Sequence, residues 1–300
     1  MSIININNLT KDYGHNRGIF DVDIKVEKGI VYGFLGPNGA GKTTTIRHIM
    51  GFSHPEQGTV HVNGLDSWKY ASDIQNVLGY LPGEVALPEN LTGDQFITYM
   101  AKLRGVKDMA HTEYLKQKFK LDSSGNLKRM SLGMKRKLAI VTAFMHDPDI
   151  LVLDEPTSGL DPVMQDVFID FIIEEKKRGK TILLSSHIFT EIDATCDIIS
   201  IIKDGRIIST FNASELKKSN KKIYKVEYYN KGDLEKVIDL ANKNNIEVNE
   251  INYEKLQLVF NINETTVNLF TKLMSGVKVV FISEIKFTLE DYFMEFYDRK

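Results

Sequence analysis

The stretch "IVYGFLGPNGAGKTTTIRHIMGF", residues 30–52, decides the fold. An apolar run from Ile30 to Leu35 stops at Gly36. The next eight residues, Gly36 to Thr43, fit the G-x-x-x-x-G-K-[ST] phosphate loop, with Gly36, Gly41, Lys42 and Thr43 at its fixed positions. Beyond the loop Ile46, Ile49 and Met50 recur at helical spacing. Strand, glycine-rich turn and helix is the context in which this motif has physical meaning. Glycines let backbone N–H groups turn inward around an anion, and the helix start adds about half a positive charge. The spacing predicts that Lys42 reaches the β- and γ-phosphates and that the Thr43 hydroxyl faces Mg2+. A plain glycine turn leaves so complete a match unexplained. The chain is predicted to bind a nucleoside triphosphate.

Two other buried-strand runs end in polar residues. "DPDILVLDEPTSGLDP" spans 147–162. Asp147-Pro148 breaks the preceding helix. Ile150 to Leu153 reads as a buried parallel strand, and it gives way to Asp154 and Glu155 before Pro156 ends it. Side chains alternate along a strand, so the two carboxylates are expected on opposite faces with different tasks. Asp154 would hold Mg2+, and Glu155 would polarise a water beyond the γ-phosphate. "TILLSSH", 181–187, ends likewise in Ser185, Ser186 and His187. Ligands of open parallel sheets bind outside the carboxyl ends of the strands, which is where all these groups are expected. His187 is predicted to touch the γ-phosphate, against the bland reading of a structural histidine.

"MSLGMKRKLAI", 130–140, has three readings: a helix start capped by Ser131, a basic nucleic-acid contact, or an anion site. Ser131 offers a hydroxyl and Gly133 close backbone approach, and a helix follows. The chain already has a phosphate loop, so a second anion site implies a nucleotide held by another copy. The basic run Lys135, Arg136 and Lys137 is then expected to be mostly solvated helix face. An ordinary helix cap stays open as the alternative.

The whole chain sets bounds. Its 300 residues allow two domains, and 42% hydrophobic with 26% charged residues is a globular composition. Net charge is −2, from 38 basic and 40 acidic residues, which argues against a protein built to coat nucleic acid. Cys196 is the single cysteine, so no internal disulfide forms. The polar start "MSIININNLTKDYG" lacks a signal core, and no apolar run approaches the roughly 18–20 residues of a membrane helix. A membrane role is expected to need a partner.

Taken in order, "GPNGAGKTT", "SLGMKRKL", "ILVLDEPTSGLDP" and "LLSSH" resemble the ATPase subunit of ABC transporters, over about residues 3–210. The resemblance implies an α/β phosphate-loop ATPase core with a helical subdomain. It also implies a head-to-tail dimer, of identical chains or with a paralogue, that sandwiches two ATP molecules. By position, Gly36, Asn38, Gly39, Gly41, Lys42, Thr43 and Thr44 would bind phosphates, with Thr43 and Asp154 on Mg2+. Ser131 and Gly133 would cap the opposite γ-phosphate. Glu155 would be the base, Lys42 and His187 would serve the reacting phosphate, and Asp161 would lie in the loop that crosses the dimer. Tyr13, in "LTKDYG", matches the adenine-stacking aromatic, a contact worth about 1–3 kcal/mol in analogous base stacks; core packing is its bland alternative.

The sequence departs from the family in two places. The signature reads M-S-L-G-M where the family has LSGGQ, so Leu132 and Met134 replace a glycine and a glutamine. In "GYLPGEVALPENLTG", 79–93, Gly83 stands where a glutamine usually reaches Mg2+, and Glu84 is the nearest polar substitute. The helical subdomain, which in the family meets the membrane subunit, is expected over about 84–135. In it Phe96, Met100 and Leu103 of "GDQFITYMAKLRG" recur at helical spacing.

The cassette is expected over 1–212, a linker over about 213–222, made basic by Lys217, Lys218, Lys221 and Lys222 with Lys225 just beyond, and an accessory domain over 223–300. "IYKVEYY", "DLEKVIDLANKNN", "IEVNEINYEKLQLVF", "ETTVNLFTKLMSG" and "VKVVFISEIKF" read as strand, helix, strand pair, helix and strand. That is a split βαβ order. A last helix carries Leu289, Phe293, Phe296 and Tyr297 on one side.

By resemblance, the leading reading is the ATP-hydrolysing subunit of a drug, antibiotic or peptide exporter. It would sit at the cytoplasmic face of the membrane on separate permease chains, with no nucleic-acid partner. Staphylococcal exporters of amphipathic peptide toxins are one such group. A soluble ABC ATPase acting on DNA or ribosomes is the alternative; it predicts a long coiled coil, zinc cysteines or tandem cassettes, which the sequence lacks. A third reading is a binding module whose altered signature no longer supports turnover.

Overall fold

The computed structural model describes residues 2–15, 17–217, 222–263, 265–285 and 288–297, with side chains left out at 216–217 and 295–297. The chain divides into two compact units, residues 1–213 and 214–300. The basic residues Lys218 and Lys221, and the side chains of Lys217, Phe296 and Tyr297, lie outside what is described.

The first unit opens with β1 (Ser2–Asp12) and β2 (Gly18–Glu27), an antiparallel pair. Then come β3 (Val31–Leu35), the phosphate loop and α1 (Lys42–Ile49). β4 (Gln57–Val62) and β5 (Leu65–Asp66) complete a four-stranded sheet in the order β2-β1-β4-β5. α2 (Ala71–Val77) leads into β6 (Leu78–Leu81). The helical segment holds α3 (Gly93–Leu103), α4 (Ala110–Lys118) and a 3-10 turn at Leu127–Arg129. α5 (Leu132–Phe144) then returns to the core. β7 (Ile150–Asp154), α6 (Pro162–Lys177), β8 (Thr181–Ser186), α7 (Phe189–Thr195), β9 (Ile198–Lys203) and β10 (Arg206–Asn212) follow.

Six strands form the central sheet in the order β10-β9-β3-β8-β7-β6. Its internal pairs are parallel, and β10 is an antiparallel edge on β9. Every residue of β3, β7 and β8 is buried. That is why these strands read as unbroken apolar runs rather than alternating ones. In register, Leu35 pairs with Ser186 and Asp154 with Ser185. Three strand ends therefore open at one level.

The helical segment is fastened by aromatic rings. Phe119, just after α4, meets Phe171 of α6 edge-on at 5.4 Å, and Phe171 lies 4.9 Å from Phe144 of α5. Such pairs contribute about 0.5–1.5 kcal/mol each beyond area burial. α3 starts with a reciprocal capping box: Thr92 Oγ1 accepts from Gln95 N at 3.2 Å, and Gln95 Oε1 accepts from Thr92 N at 2.9 Å. The buried stripe of α3 is Gly93, Ile97 and Ala101. The expected stripe Phe96–Met100–Leu103 is displaced by one position, and Leu103 is 60% exposed.

At the unit boundary stands α8 (Ala213–Lys217). The second unit runs β11 (Lys222–Tyr228), α9 (Lys231–Lys243), β12 (Glu247–Asn252), β13 (Gln257–Ile262), α10 (Val267–Ser275), β14 (Val279–Ile285) and α11 (Leu289–Tyr297). Its sheet is antiparallel in the order β12-β13-β11-β14, with Val226, Leu234, Val237, Leu258, Phe260 and Phe270 in its core. This is the split βαβ topology that the element order predicts.

Candidate functional site

The phosphate loop works through its glycines. Gly39 and Gly41 have φ of +83° and +114°, a region glycine enters without steric cost. Gly36 is required for space, since a Cβ there would lie 2.6 Å from the Ile202 carbonyl oxygen. A Cβ at Gly41 would meet an Ile19 methyl at 2.7 Å, so the β1–β2 hairpin packs directly on the loop. Gly205 N donates to Ala40 O at 3.0 Å and Phe20 N to Gly205 O at 2.8 Å, holding the same three segments together. Tyr13, at the hairpin turn, is 54% exposed, with the Lys11 ammonium 5.8 Å from its ring centroid. It is not a core residue, and its ring is available for stacking.

Six side chains converge on the loop from α1 and from the ends of β7 and β8. Lys42 is buried; its Nζ donates to Gly36 O at 2.6 Å and Pro37 O at 3.1 Å, and lies 3.0 Å from Glu155 Oε1. Thr43 Oγ1 donates to Asp154 Oδ2 at 2.7 Å, and Ser185 Oγ donates to Asp154 Oδ1 at 2.5 Å. His187 Nδ1 is 2.6 Å from Glu155 Oε2. The two adjacent carboxylates do meet different partners, but not by strand alternation. β7 ends at Asp154, and Glu155 has φ +48°, a left-handed turn fixed by Glu155 N donating to Ser185 O at 3.0 Å. That turn sends Asp154 inward to two hydroxyls and Glu155 to Lys42 and His187.

The signature turn lies at the start of α5. Ser131 is exposed and caps the helix, its Oγ accepting from Met134 N at 3.2 Å. A Cβ on Gly133 would lie 3.1 Å from Gly159 O, and Leu132 covers Gly159, whose φ is +81°. The turn therefore rests on the loop after β7, and the Ser131 hydrogen bond stays within its own helix turn. Asp161 Oδ1 accepts from Met164 N at 3.0 Å and caps α6. Gly83 faces the site directly, since a Cβ there would lie 3.1 Å from Asp154 Oδ2, while Glu84 is exposed.

Within the basic run one expectation fails. Lys135 and Lys137 are half-buried, but Arg136 is only 2% exposed. It shares a helical stripe with Ala139, Ile140 and Ala143, all buried; that i, i+3, i+4, i+7 spacing was the available signal. Ser185 and Glu191 are further residues that sequence reasoning gave no task. Glu191, four residues beyond His187 on α7, is 1% exposed and accepts from Ser186 Oγ at 2.6 Å. Burial, reinforced by the charge of Glu155, pushes its carboxyl up to about 7. A folded-state value above the unfolded one favours the fold at low pH, and this contribution is lost as pH rises from about 4.5 through about 7. Glu191→Gln removes this dependence. Its stability relative to the parent should rise as pH goes from about 4.5 to about 7, by about 1.4 kcal/mol per pH unit at most, and its melting temperature relative to the parent should rise with it. An unchanged difference in paired thermal melts would contradict a buried, proton-holding Glu191.

Phosphate loop, acidic strand end and polar neighbouring strand end on one parallel sheet define a phosphate-loop nucleoside triphosphatase. Residues 19–158 match the ABC transporter family. The chain is 39% identical over 198 residues to ABC transporter ATP-binding protein NatA of Bacillus subtilis, covering 64% of this chain and 80% of that one. It is 33% identical over 301 residues to bacitracin transport ATP-binding protein BcrA of Bacillus licheniformis, covering 98% and 97%. Among solved structures, an ATP-binding subunit of an ABC transporter superposes with a TM-score of 0.65 at 30% identity, covering 72% of this chain and 92% of that one. The chain belongs to the ABC transporter ATP-binding family, and it is an ATPase of that type.

Proposed function

We propose that two cassettes meet head to tail, each closing its signature turn on the nucleotide in the other's phosphate loop, and that the assembly drives export through separate membrane chains. The observation that carries the chemistry is the continuous contact from Lys42 through Glu155 to His187, at 3.0 Å and 2.6 Å, beside Asp154. Lys42 and the loop N–H groups bind the β- and γ-phosphates, with Asn38 and Thr44 at the loop's mouth and helix start. Glu155 takes the proton of the attacking water, and His187 orients Glu155 and meets the γ-phosphate. Tyr13 stacks on adenine. Ser131 and Gly133 of the partner cap the γ-phosphate, and Asp161 keeps the crossing loop in shape from the start of α6.

The residues present fit Mg2+. Thr43 Oγ1 and Asp154 Oδ2, 2.7 Å apart, are hard oxygen donors at the loop. Mg2+ is commonly held by one or two carboxylates, with substrate phosphates and water completing the shell. Bound there, it would neutralise charge on the phosphates. Among the described residues no cluster of three or more His, Cys, Asp or Glu side chains is arranged to hold a metal.

The membrane partner is read from a surface patch. Phe52 and Val77 are 53% and 52% exposed, and Tyr99 and Leu103 are 54% and 60% exposed. The Phe52 ring meets Tyr80 at 5.8 Å, Gln75 Nε2 donates to Met50 O at 2.9 Å, and Arg104 donates to Gln75 O, which draws α2, α3 and the end of α1 together. Exposed apolar residues grouped in this way mark interaction sites. Among the described residues no helix is long and apolar enough to cross a membrane, so we assign the patch to a permease segment at the cytoplasmic face. The bacitracin transport named for the B. licheniformis relative, similar over 98% of this chain, supports a peptide-antibiotic class of cargo. Phe52→Glu with Leu103→Glu should leave ATP binding intact and weaken co-sedimentation with permease-containing vesicles at least about tenfold, the effect of about 1.4 kcal/mol. Undiminished association would remove the patch from this role.

A further inference from the structure

We propose that Arg136 is a positioning residue that ties the two nucleotide sites of the dimer together, locking the backbone beside Asp154 to the helix whose first turn grips the partner's nucleotide. The proposal rests on the sandwich reading above and names a part within it.

The geometry is specific. Arg136 lies in the second turn of α5, five residues beyond Ser131. Its Nε donates to Ser158 O at 3.0 Å, one terminal nitrogen donates to Pro82 O at 2.7 Å, and the other donates to Gly83 O. Pro82 and Gly83 follow β6, and Ser158 lies between Glu155 and Asp161. One side chain therefore joins three segments: the signature helix, the turn against Asp154, and the loop leading from Glu155 to the crossing residue. A planar guanidinium can meet carbonyls of two loops at once, whereas an ammonium is a single point of attachment.

Two further observations give the contact a task. Arg136 is only 2% exposed, and burying a charge on neutral carbonyls is unfavourable unless the surroundings compensate. Burial pushes the Arg136 pKa down from its ordinary value, and the charges of Asp154 and Glu155 offset part of that cost, so the cation faces the acids of the site. The second observation is Gly83. A Cβ there would lie 3.1 Å from Asp154 Oδ2, yet the residue has no side chain with which to reach the site. This turn addresses Asp154 through backbone alone, and Arg136 holds that backbone through Gly83 O. A shift of α5 on engaging the partner's phosphate is thereby passed to the turn at Asp154 and the loop at Ser158 as one movement.

The test uses the full chain and three readouts. Arg136→Lys keeps the charge without the fork, and Arg136→Met keeps the stem without the charge. For Arg136→Lys, binding of a fluorescent ATP analogue to the monomer should stay within about twofold, because no phosphate-loop residue changes, while kcat falls at least about tenfold from misplaced reacting groups. In a Glu155→Gln background, which allows ATP to be held without turnover, adding Arg136→Lys should raise the ATP concentration for half-dimerisation at least about fivefold. A role confined to folding would lower thermal stability and monomer ATP binding together; if Arg136→Met unfolds, the lysine variant still decides. Unchanged kcat, or unchanged dimerisation with reduced kcat, overturns the tie between sites. Failure of Glu155→Gln itself to dimerise with ATP would instead overturn the sandwich reading, and the tie with it.

Discussion

Glu155→Gln is expected to bind ATP as the parent chain does and to hydrolyse it at least about 100-fold more slowly, a barrier increase of about 2.7 kcal/mol. The amide keeps the size of the side chain and its place between Lys42 and His187. It loses the charge that pairs with Lys42 and the basicity that would take a proton from water. The left-handed backbone at Glu155 and the hydrogen bond its backbone N–H donates to Ser185 O are independent of the side chain, so the turn should survive. Equilibrium binding of a fluorescent nucleotide and steady-state phosphate release check the two halves separately. Near-parental turnover would remove Glu155 from the role of base.

The second large effect is complementation between two dead chains. Lys42→Ala removes the ammonium that lies within the phosphate loop on Gly36 O and Pro37 O. Ser131→Arg puts bulk and charge on the exposed cap of α5. Each variant alone should show ATPase activity reduced at least about 100-fold, since both sites of its homodimer carry a lesion. In a mixed dimer both lesions can fall on one composite site, which leaves the other site intact. If one intact site suffices, mixing restores part of the activity in a phosphate-release assay on mixtures proven to contain heterodimers. A cap acting only within its own chain yields no intact site by mixing, and no recovery.

Much of this was legible because buried parallel strands leave a plain mark. Val31–Leu35, Ile150–Leu153 and Ile182–Leu184 are apolar throughout since both faces of the sheet are covered. Their polar ends then stand out as the rim of the site. The second unit was legible from alternation and period, down to the succession of its strands and helices along the chain. What the sequence concealed depends on backbone direction and three-dimensional neighbours. The separation of Asp154 from Glu155 comes from a left-handed residue, and nothing in "LDEP" marks φ at Glu155. Arg136 looked solvated because two lysines flank it, and charge in a run masked the helical stripe it shares with Ala139 and Ile140. Nothing in the sequence sets Glu191 apart from other carboxylates; the packing of α7 under the end of β8 buries it. In α3 the apolar residues outnumber the buried positions, so periodicity chose the neighbouring stripe, and the exposed Leu103 fell to the surface patch instead.

The central claim is that Ser131 and Gly133 serve a nucleotide held by another chain, and light scattering on ATP-bound Glu155→Gln tests it most directly. Slow hydrolysis should let this variant accumulate with ATP as a dimer of about twice the 34.1 kDa chain mass. Adding Ser131→Arg should return it to a monomer while the phosphate loop still binds ATP. A double variant that remains an ATP-dependent dimer would contradict the composite site.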